Sequence, residues 1–273
     1  MTASDMQTLC RVAETYGRGE MAFTTRLTVE IPWIRYEDVD AVRGIFAQGG
    51  IATGGTGRKV RPLVSCKGTY CVFGLLDTQA LTARLHKMFY EGYRSVELPH
   101  KFKIAVGGCP NNCVKPDLND VGLVGQRSPI FSEEKCRGCK KCQVEQACPL
   151  GAAKLKDGKA EIDRILCNSC GRCSEKCPFG AIEAGESGCR IYIGGRWGKQ
   201  IRRGQALPGI YGIEDAIKMV EKALLLFRRE GFSGERFATT VERLGFDNVC
   251  RMLEGETLLE ERDRILAMPI RQR

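Results

Sequence analysis

Histidine is almost missing from this chain, two among 273 residues, and no zinc-finger spacing closes on a histidine pair. With aromatics at only 7%, a nucleic-acid-binding module is not expected. No segment offers eighteen uninterrupted apolar residues, so no membrane span is expected. The first thirty residues carry Asp5, Arg11, Glu14, Arg18 and Glu20 and lack the apolar core of a signal peptide. A dinucleotide fingerprint is absent. The loop Gly54-Gly55-Thr56-Gly57 lacks the Gly-Lys-Ser/Thr of a phosphate cradle and leads into a strand. A cytoplasmic protein that binds no NAD(P)H is the expectation.

What is present is positive charge and sulfur. Lys and Arg exceed Asp and Glu by 42 to 33, a formal charge of +9, which calls for an anionic ligand or partner. At 43% hydrophobic and 27% charged residues, the chain is globular and long enough for one or two domains. Fifteen cysteines form an odd set, and twelve of them cluster at C-x-x-C-like spacings. Metal ligation in a reducing compartment therefore fits better than a disulfide framework.

Eight of the cysteines form a repeat. Cys136-x2-Cys139-x2-Cys142-x5-Cys148-Pro149 and Cys167-x2-Cys170-x2-Cys173-x3-Cys177-Pro178 begin thirty-one residues apart. This is the spacing of a bacterial two-cluster ferredoxin, in which the fourth cysteine of each run serves the other cluster. Cys136, Cys139, Cys142 and Cys177 are thus assigned to one [4Fe-4S] cluster, and Cys148, Cys167, Cys170 and Cys173 to the second. Four-ligand zinc sites explain two such runs poorly.

Four more cysteines are paired by spacing, Cys66 with Cys71 and Cys109 with Cys113, and each pair comes after a basic stretch. In Lys101-Phe102-Lys103-Ile104-Ala105-Val106, alternation predicts a strand with Phe102, Ile104 and Val106 facing a core and both lysines opposite. By pattern alone such lysines read as a solvated face. Gly107-Gly108 then turns the chain into Cys109. Elsewhere, helices are predicted over 5–16, 36–48, after Asp77, over 214–230 and from Phe237, with a charged helical tail. Strands are predicted over Met21–Ile31, at Val121–Gly125 and from Cys189, with a boundary at Ser128-Pro129. Cys10, Cys189 and Cys250 read as buried small hydrophobes, and His86 as structural.

These motifs resemble the sirohaem-dependent sulfite and nitrite reductases. The resemblance rests on Tyr16-Gly-x-Gly before Thr24-Thr25-Arg26, the GlyGlyThrGly loop, both cysteine pairs, Leu98-Pro-x-Lys-Phe-Lys, Gly107-Gly-Cys-Pro-Asn-x-Cys113 and Gly194-Gly195-Arg196. With its inserted ferredoxin, the chain is most similar to the catalytic C subunits of anaerobic sulfite reductases. The resemblance implies an α+β reductase domain, 1–130 with 186–273, interrupted by a ferredoxin domain at 131–185. It implies sirohaem and three [4Fe-4S] clusters, the third held by Cys66, Cys71, Cys109 and Cys113, with Cys113 bridging to the sirohaem iron. Arg61, Lys101 and Lys103 would surround the substrate. Arg26, Arg58, Lys59, Arg196 and Lys199 would meet the ring carboxylates.

The implied activity is reduction of sulfite to sulfide by six electrons, delivered through the ferredoxin domain from a flavin or iron-sulfur subunit. Nitrite reduction and a non-catalytic electron-transfer role are the alternatives, and a homodimer or heteromeric complex is expected. Three features depart from the family pattern. An Arg-x-Arg-x-Pro-Gly-Gly strand that supplies a substrate arginine does not occur, which implies a later start, a cation from another chain, or a weakened site. Leu27 stands where a glutamine is usual. Cys66 and Cys71 have four residues between them instead of five.

Overall fold

The computed structural model describes residues 1–273, which form two compact units, Met1–Gly57 and Arg58–Arg273. In the first, helix α1 (Ala3–Tyr16) starts from a capping box between Thr2 and Asp5 and stops at Gly17. Helix α2 (Val39–Gln48) stops at Gly49. The two share a small core of Leu9, Val12, Val42 and Phe46. The strand expected over Met21–Ile31 is instead a hairpin, β1 (Ala22–Phe23) against β2 (Val29–Glu30). The Thr24 hydroxyl accepts the Arg26 and Thr28 N–H groups at 3.2 and 3.3 Å. A threonine that captures backbone donors this way turns a chain whose alternation reads as continuous strand.

The second unit is built on a five-stranded sheet in the order β3-β4-β5-β8-β9. Strands β3 (Val64–Ser65), β4 (Ile104–Gly107) and β5 (Val121–Phe131) are parallel. Helix α3 (Thr78–Leu85), capped by Asp77 as expected, lies between β3 and β4 in the chain and runs on into a π-helical turn over His86–Glu91. Between β5 and β8 (Ile182–Ile193) come helix α4 (Gln143–Ala147) and the hairpin of β6 (Ala153–Lys156) and β7 (Lys159–Ile162). β9 (Gln205–Ala206), α5 (Ile213–Glu230), α6 (Phe237–Leu244), α7 (Phe246–Glu254), α8 (Thr257–Glu260) and α9 (Arg262–Ala267) complete the chain. The α+β fold class is the expected one. No helix is long and apolar enough to cross a membrane.

One sheet face carries Ile104, Val106, Leu123, Ile191 and Ile193, all buried against α3, α5, α6 and α7. Phe102, fully buried, anchors this layer, its ring 5.8 Å from that of Phe227 and 5.3 Å from that of Phe237. Phe102 lies before β4 proper and pairs only with Val60. Strand therefore begins at Ile104, later than alternation suggests, and the lysines flank the bridging Phe102.

The boundary expected at Ser128-Pro129 is not a break. β5 passes through it with a bulge between Arg127 and Pro129, where a proline is tolerated in a strand. It pairs with β8 as far as Phe131 and Ile182. This ribbon leads into the cysteine repeat, whose own core holds Val144, Ala153 and Ile182. The junctions expected at 130/131 and 185/186 lie inside these two strands, and we keep 131–185 as the proposed ferredoxin-type insert.

Truncating Phe102 to alanine removes the ring that joins sheet to helices and should cost about 3–5 kcal/mol of stability. Denaturant unfolding of Phe102→Ala beside the parent measures this, and a loss under 1 kcal/mol would deny Phe102 that role.

Candidate functional site

Because β3 and β4 run the same way, the loops that leave them emerge at one edge of the sheet. Cys66 comes directly after β3 and Cys109 shortly after β4. The Cys66 N–H donates to the Val106 carbonyl at 3.1 Å, and the Gly108 N–H donates to the Cys66 Sγ at 3.1 Å. A Cβ on Gly108 would sit 2.9 Å from the Gly68 Cα, so only two glycines allow these turns to touch. Cys71 ends the 3-10 turn Gly68–Tyr70, and Cys113 comes after Asn112, which has a φ of 57°. Burial pushes the Cys109 thiol up, the Asn111 N–H opposes this, and the Cys113, Cys66 and Cys71 thiols push it further. Cys109 thus feels thiols from both turns, and Cys113 is the exposed member of the four.

The repeat gathers its sulfurs in the same way. Burial, then the Cys167 and Cys170 thiols and, more weakly, Cys148, push the Cys173 thiol up to about 11. That neighbourhood crosses between the two runs. Burial alone would push the Cys148 thiol up as well, but the N–H groups of Ala153, Leu150, Ala152 and Gly151 bring it below the usual value. Such a nest of amides favours thiolate over thiol. Cys142 and Cys177 pack against the same small core as Cys148 and Cys173, and the Ala160 N–H reaches the Cys136 Sγ at 3.5 Å. Yet no three His, Cys, Asp or Glu side chains converge closely enough for a single ion. Four-cysteine sets in runs of this kind are the donor type that iron-sulfur clusters take.

A cleft lined by Phe73, Cys109, Asn111, Arg127, Cys170 and Arg172 joins the two sulfur regions. The Arg127 N–H donates to the Ser169 carbonyl at 2.7 Å, and Arg172 lies 4.4 Å over the Phe73 ring. Backbone pairing thus seats the second cysteine run against the first site.

The predicted cations lie at the other end of the same strands. Arg61 precedes β3, and Lys101 and Lys103 precede β4. Arg61 and Cys66 are five residues apart along extended chain, about 16 Å at ~3.3 Å per residue. The sheet is therefore polarised, with the cysteines at one end and Arg61, Lys101 and Lys103 at the other. Cys113 lies on the crossover that returns over the sheet face, where Lys115 stands 5.6 Å over the Trp197 ring.

Of the other predicted contacts, Arg58 donates to the Leu98 carbonyl and Ser233 hydroxyl at 3.2 and 3.1 Å, and Lys59 is exposed. Arg196 donates to the Gln200 carbonyl and the Thr239 hydroxyl at 3.0 and 3.2 Å, and Lys199 is exposed. Their loop joins the cation end, because the Gly194 N–H donates to the Asp120 carbonyl at 2.9 Å. Arg26 sits in the hairpin turn of the first unit. Cys189 is buried as expected, Cys250 is half-buried, and Cys10 is exposed, against expectation.

Asp120 and Arg236 escaped the sequence reading. Asp120 is fully buried; its carboxylate accepts the Lys103 N–H at 2.9 Å and lies 3.3 Å from the Arg236 guanidinium. A lone Asp before a strand and a lone Arg before a helix carry no motif that would single them out. His100 stands among the cations: burial, then Arg236, Lys101, Arg58 and Arg61, hold its ring below the usual value. Its Nδ1 accepts the Lys101 N–H at 2.7 Å, which requires that nitrogen to be unprotonated.

Comparison with known proteins gives a consistent set. Residues 56–260 match the nitrite and sulphite reductase 4Fe-4S domain, and residues 1–49 match the nitrite/sulfite reductase ferredoxin-like half domain. Among the C subunits of anaerobic sulfite reductases, that of Salmonella typhimurium is 32% identical over 82% of this chain and 70% of its own. Coenzyme F420-dependent sulfite reductase of Methanocaldococcus jannaschii is 30% identical over 89% of this chain, which spans only 38% of that longer protein. Among solved structures, dissimilatory sulfite reductase I superposes with a TM-score of 0.72 at 22% identity, over 93% of this chain and 66% of that one.

His100 gives a pH test. Near pH 6.5 the unfolded chain takes up a proton at this residue that the folded chain resists, so stability is lost as pH falls from there toward the lower folded value. In His100→Gln, the drop in melting midpoint between about pH 7 and pH 5 should be smaller than in the parent. An identical drop would show that His100 is not depressed.

Proposed function

The chain belongs to the nitrite and sulphite reductase family, and on that premise we propose that it reduces sulfite to sulfide by six electrons. The observation that carries this reading is the meeting of four thiols from two turns at one end of a parallel sheet. Soft sulfur donors without imidazole, four to a set, fit an iron-sulfur cubane. Cys66, Cys71, Cys109 and Cys113 would hold one. Cys136, Cys139, Cys142 and Cys177 would hold a second, and Cys148, Cys167, Cys170 and Cys173 a third, which makes three [4Fe-4S] clusters. The exposed Cys113 is suited to bridge to sirohaem, whose iron, when bound, would supply the redox chemistry at the substrate sulfur.

The protein's own contribution is charge and protons. Sulfite is a compact dianion, and its three oxygens leave as water, so the site must neutralise charge and donate protons repeatedly. Arg61, Lys101 and Lys103, held on hydrogen-bonded backbone, are preorganised cations for that task. Arg58, Lys59, Arg196 and Lys199 are assigned to the carboxylates of the ring. The distance along each strand between cations and sulfur supports an assembly in which the cation end of a second copy, or of a homologous subunit, completes the sulfur end of the first. A flavin or iron-sulfur partner is proposed to feed electrons through the 131–185 insert, which the Arg127–Ser169 pairing holds beside Cys109. A reducing, cytoplasmic setting suits the fifteen unpaired thiols.

Protein purified without oxygen should carry about thirteen irons per chain, three cubanes and one sirohaem, with sirohaem bands in its spectrum. About eight irons without those bands would sink the reading. Turnover of sulfite and nitrite with a common reductant tests the substrate: a strong preference for nitrite would replace sulfite, and full sirohaem with no turnover of either would make this an electron-transfer subunit. In the Lys101→Ala/Lys103→Ala double variant, sulfite turnover should fall at least about tenfold with iron content unchanged. Unaltered turnover would remove the lysines from the chemistry.

A further inference from the structure

The cation end holds a charge arrangement that the family reading does not use. Asp120 lies at the start of β5 with no exposed surface. One of its carboxylate oxygens accepts the Lys103 N–H at 2.9 Å, and the Arg236 Nη2 approaches both oxygens at 3.3 and 3.4 Å. Arg236 immediately precedes α6, and its Nε is buried without a partner. The guanidinium is thus held on one edge by a buried carboxylate, while its buried Nε has no partner.

Its neighbours are of like charge. Burial and then Arg236 lower the Arg61 guanidinium, and the same arginine leads the cations that depress His100. Backbone bonds fix the segments that carry these groups. Phe102 donates to the Lys59 carbonyl at 3.0 Å, Arg61 to the Phe102 carbonyl at 2.8 Å, and Gly234 to the Pro99 carbonyl at 2.9 Å. Four remote stretches, 58–61, 100–103, 120 and 233–236, are therefore locked together with their cations crowded. Crowding of this kind costs free energy in the absence of an anion and lowers it in the presence of one, which is how oxyanion sites are built.

We propose that Arg236, positioned by the buried Asp120, is a further oxyanion-binding residue that acts with Arg61 and Lys101 at the cation end of the sheet. Asp120 is a positioning residue. Through one carboxylate it fixes both the Arg236 fork and the backbone of Lys103, so the two cations keep a set separation. The ligand chemistry is a compact oxyanion or carboxylate, supplied either by the substrate or by a carboxylate of the ring. This proposal rests on the reductase reading only for the identity of the anion.

The test separates those two dependences. Inorganic phosphate, which is not reduced, serves as the probe, and the readout is the melting midpoint of the full chain purified without oxygen. Phosphate should raise the midpoint of the parent and leave that of Arg236→Gln unmoved. Because that change strands a buried carboxylate, the Asp120→Asn/Arg236→Gln double variant, which removes both charges together, is measured beside it and should also ignore phosphate. Arg236→Lys should recover part of the shift. Phosphate stabilisation that persists in the double variant would overturn the proposal whether or not the chain reduces sulfite. Where stabilisation is lost, a sulfite KM raised at least tenfold in the double variant at full sirohaem content identifies the substrate as the anion. A fall in sirohaem content with an unchanged KM in the loaded fraction identifies a ring carboxylate.

Discussion

The parallel pairing of β3 with β4 is the constraint on which the site depends. Parallel strands bring like ends together: residues before each strand gather at one edge, and residues after each strand gather at the other. Here basic residues precede both strands and cysteines come after both. The register of Val64 with Ala105 and Ser65 with Val106 therefore assembles two chemically opposite regions at once. An antiparallel pairing of the same segments would have set each cysteine pair beside the other strand's lysine or arginine, and neither a four-sulfur site nor a cation cluster would exist.

The crossover from β4 to β5 keeps this polarity rigid. After Cys113 the chain returns over the sheet, and Pro116 lies so close to the backbone that a Cβ on Gly122 would meet the Pro116 carbonyl oxygen at 2.3 Å. A glycine is the only residue that permits this approach. Asp117 then receives the Asn112 side-chain amide at 2.8 Å and accepts the Gly204 N–H through its carbonyl at 2.7 Å. The loop that carries the exposed sulfur is thus tied to the loop that carries Arg196 and Lys199. Movement at one is resisted by hydrogen bonds at the other.

Much of this was legible in the sequence, for identifiable reasons. The cysteine runs have spacings that few other chemistries require, and the helices end at glycines or begin at caps that act within a few residues, as at Gly17, Asp77 and Gly231. Where a distant partner decides the outcome, the sequence was silent or misleading. Thr24 and Thr28 look like strand residues until their hydroxyls meet at 2.7 Å across a turn. Pro129 looks like a terminator until β8 arrives to pair around it. Alternation put both lysines correctly opposite Phe102, but periodicity cannot say which end of a strand faces which loop, and that required the register. Asp120 and Arg236 are 116 positions apart, and neither carries a local signature of the other.

The placement of the insert stems from the same sheet. β5 and β8 do not stop at the sheet edge but continue as a paired ribbon beyond Gly125 and Cys189, on the side where β5 leaves the cysteine end. A flexible linker would allow the second cysteine run to sample many distances from Cys109. The ribbon, the Arg127–Ser169 hydrogen bond and the stacking of Arg172 on Phe73 leave it one. Electron transfer falls steeply with distance, so a relay benefits from a seat fixed by backbone pairing more than from tight binding of a mobile domain. On the proposed reading, the cysteine set containing Cys170 stands next to the site of Cys109, which makes it the inner member of the pair and leaves the set containing Cys136 and Cys139 to meet the donor. The extension of two sheet strands past the sheet edge is thus the physical reason that the second cysteine run has a fixed seat beside Cys109.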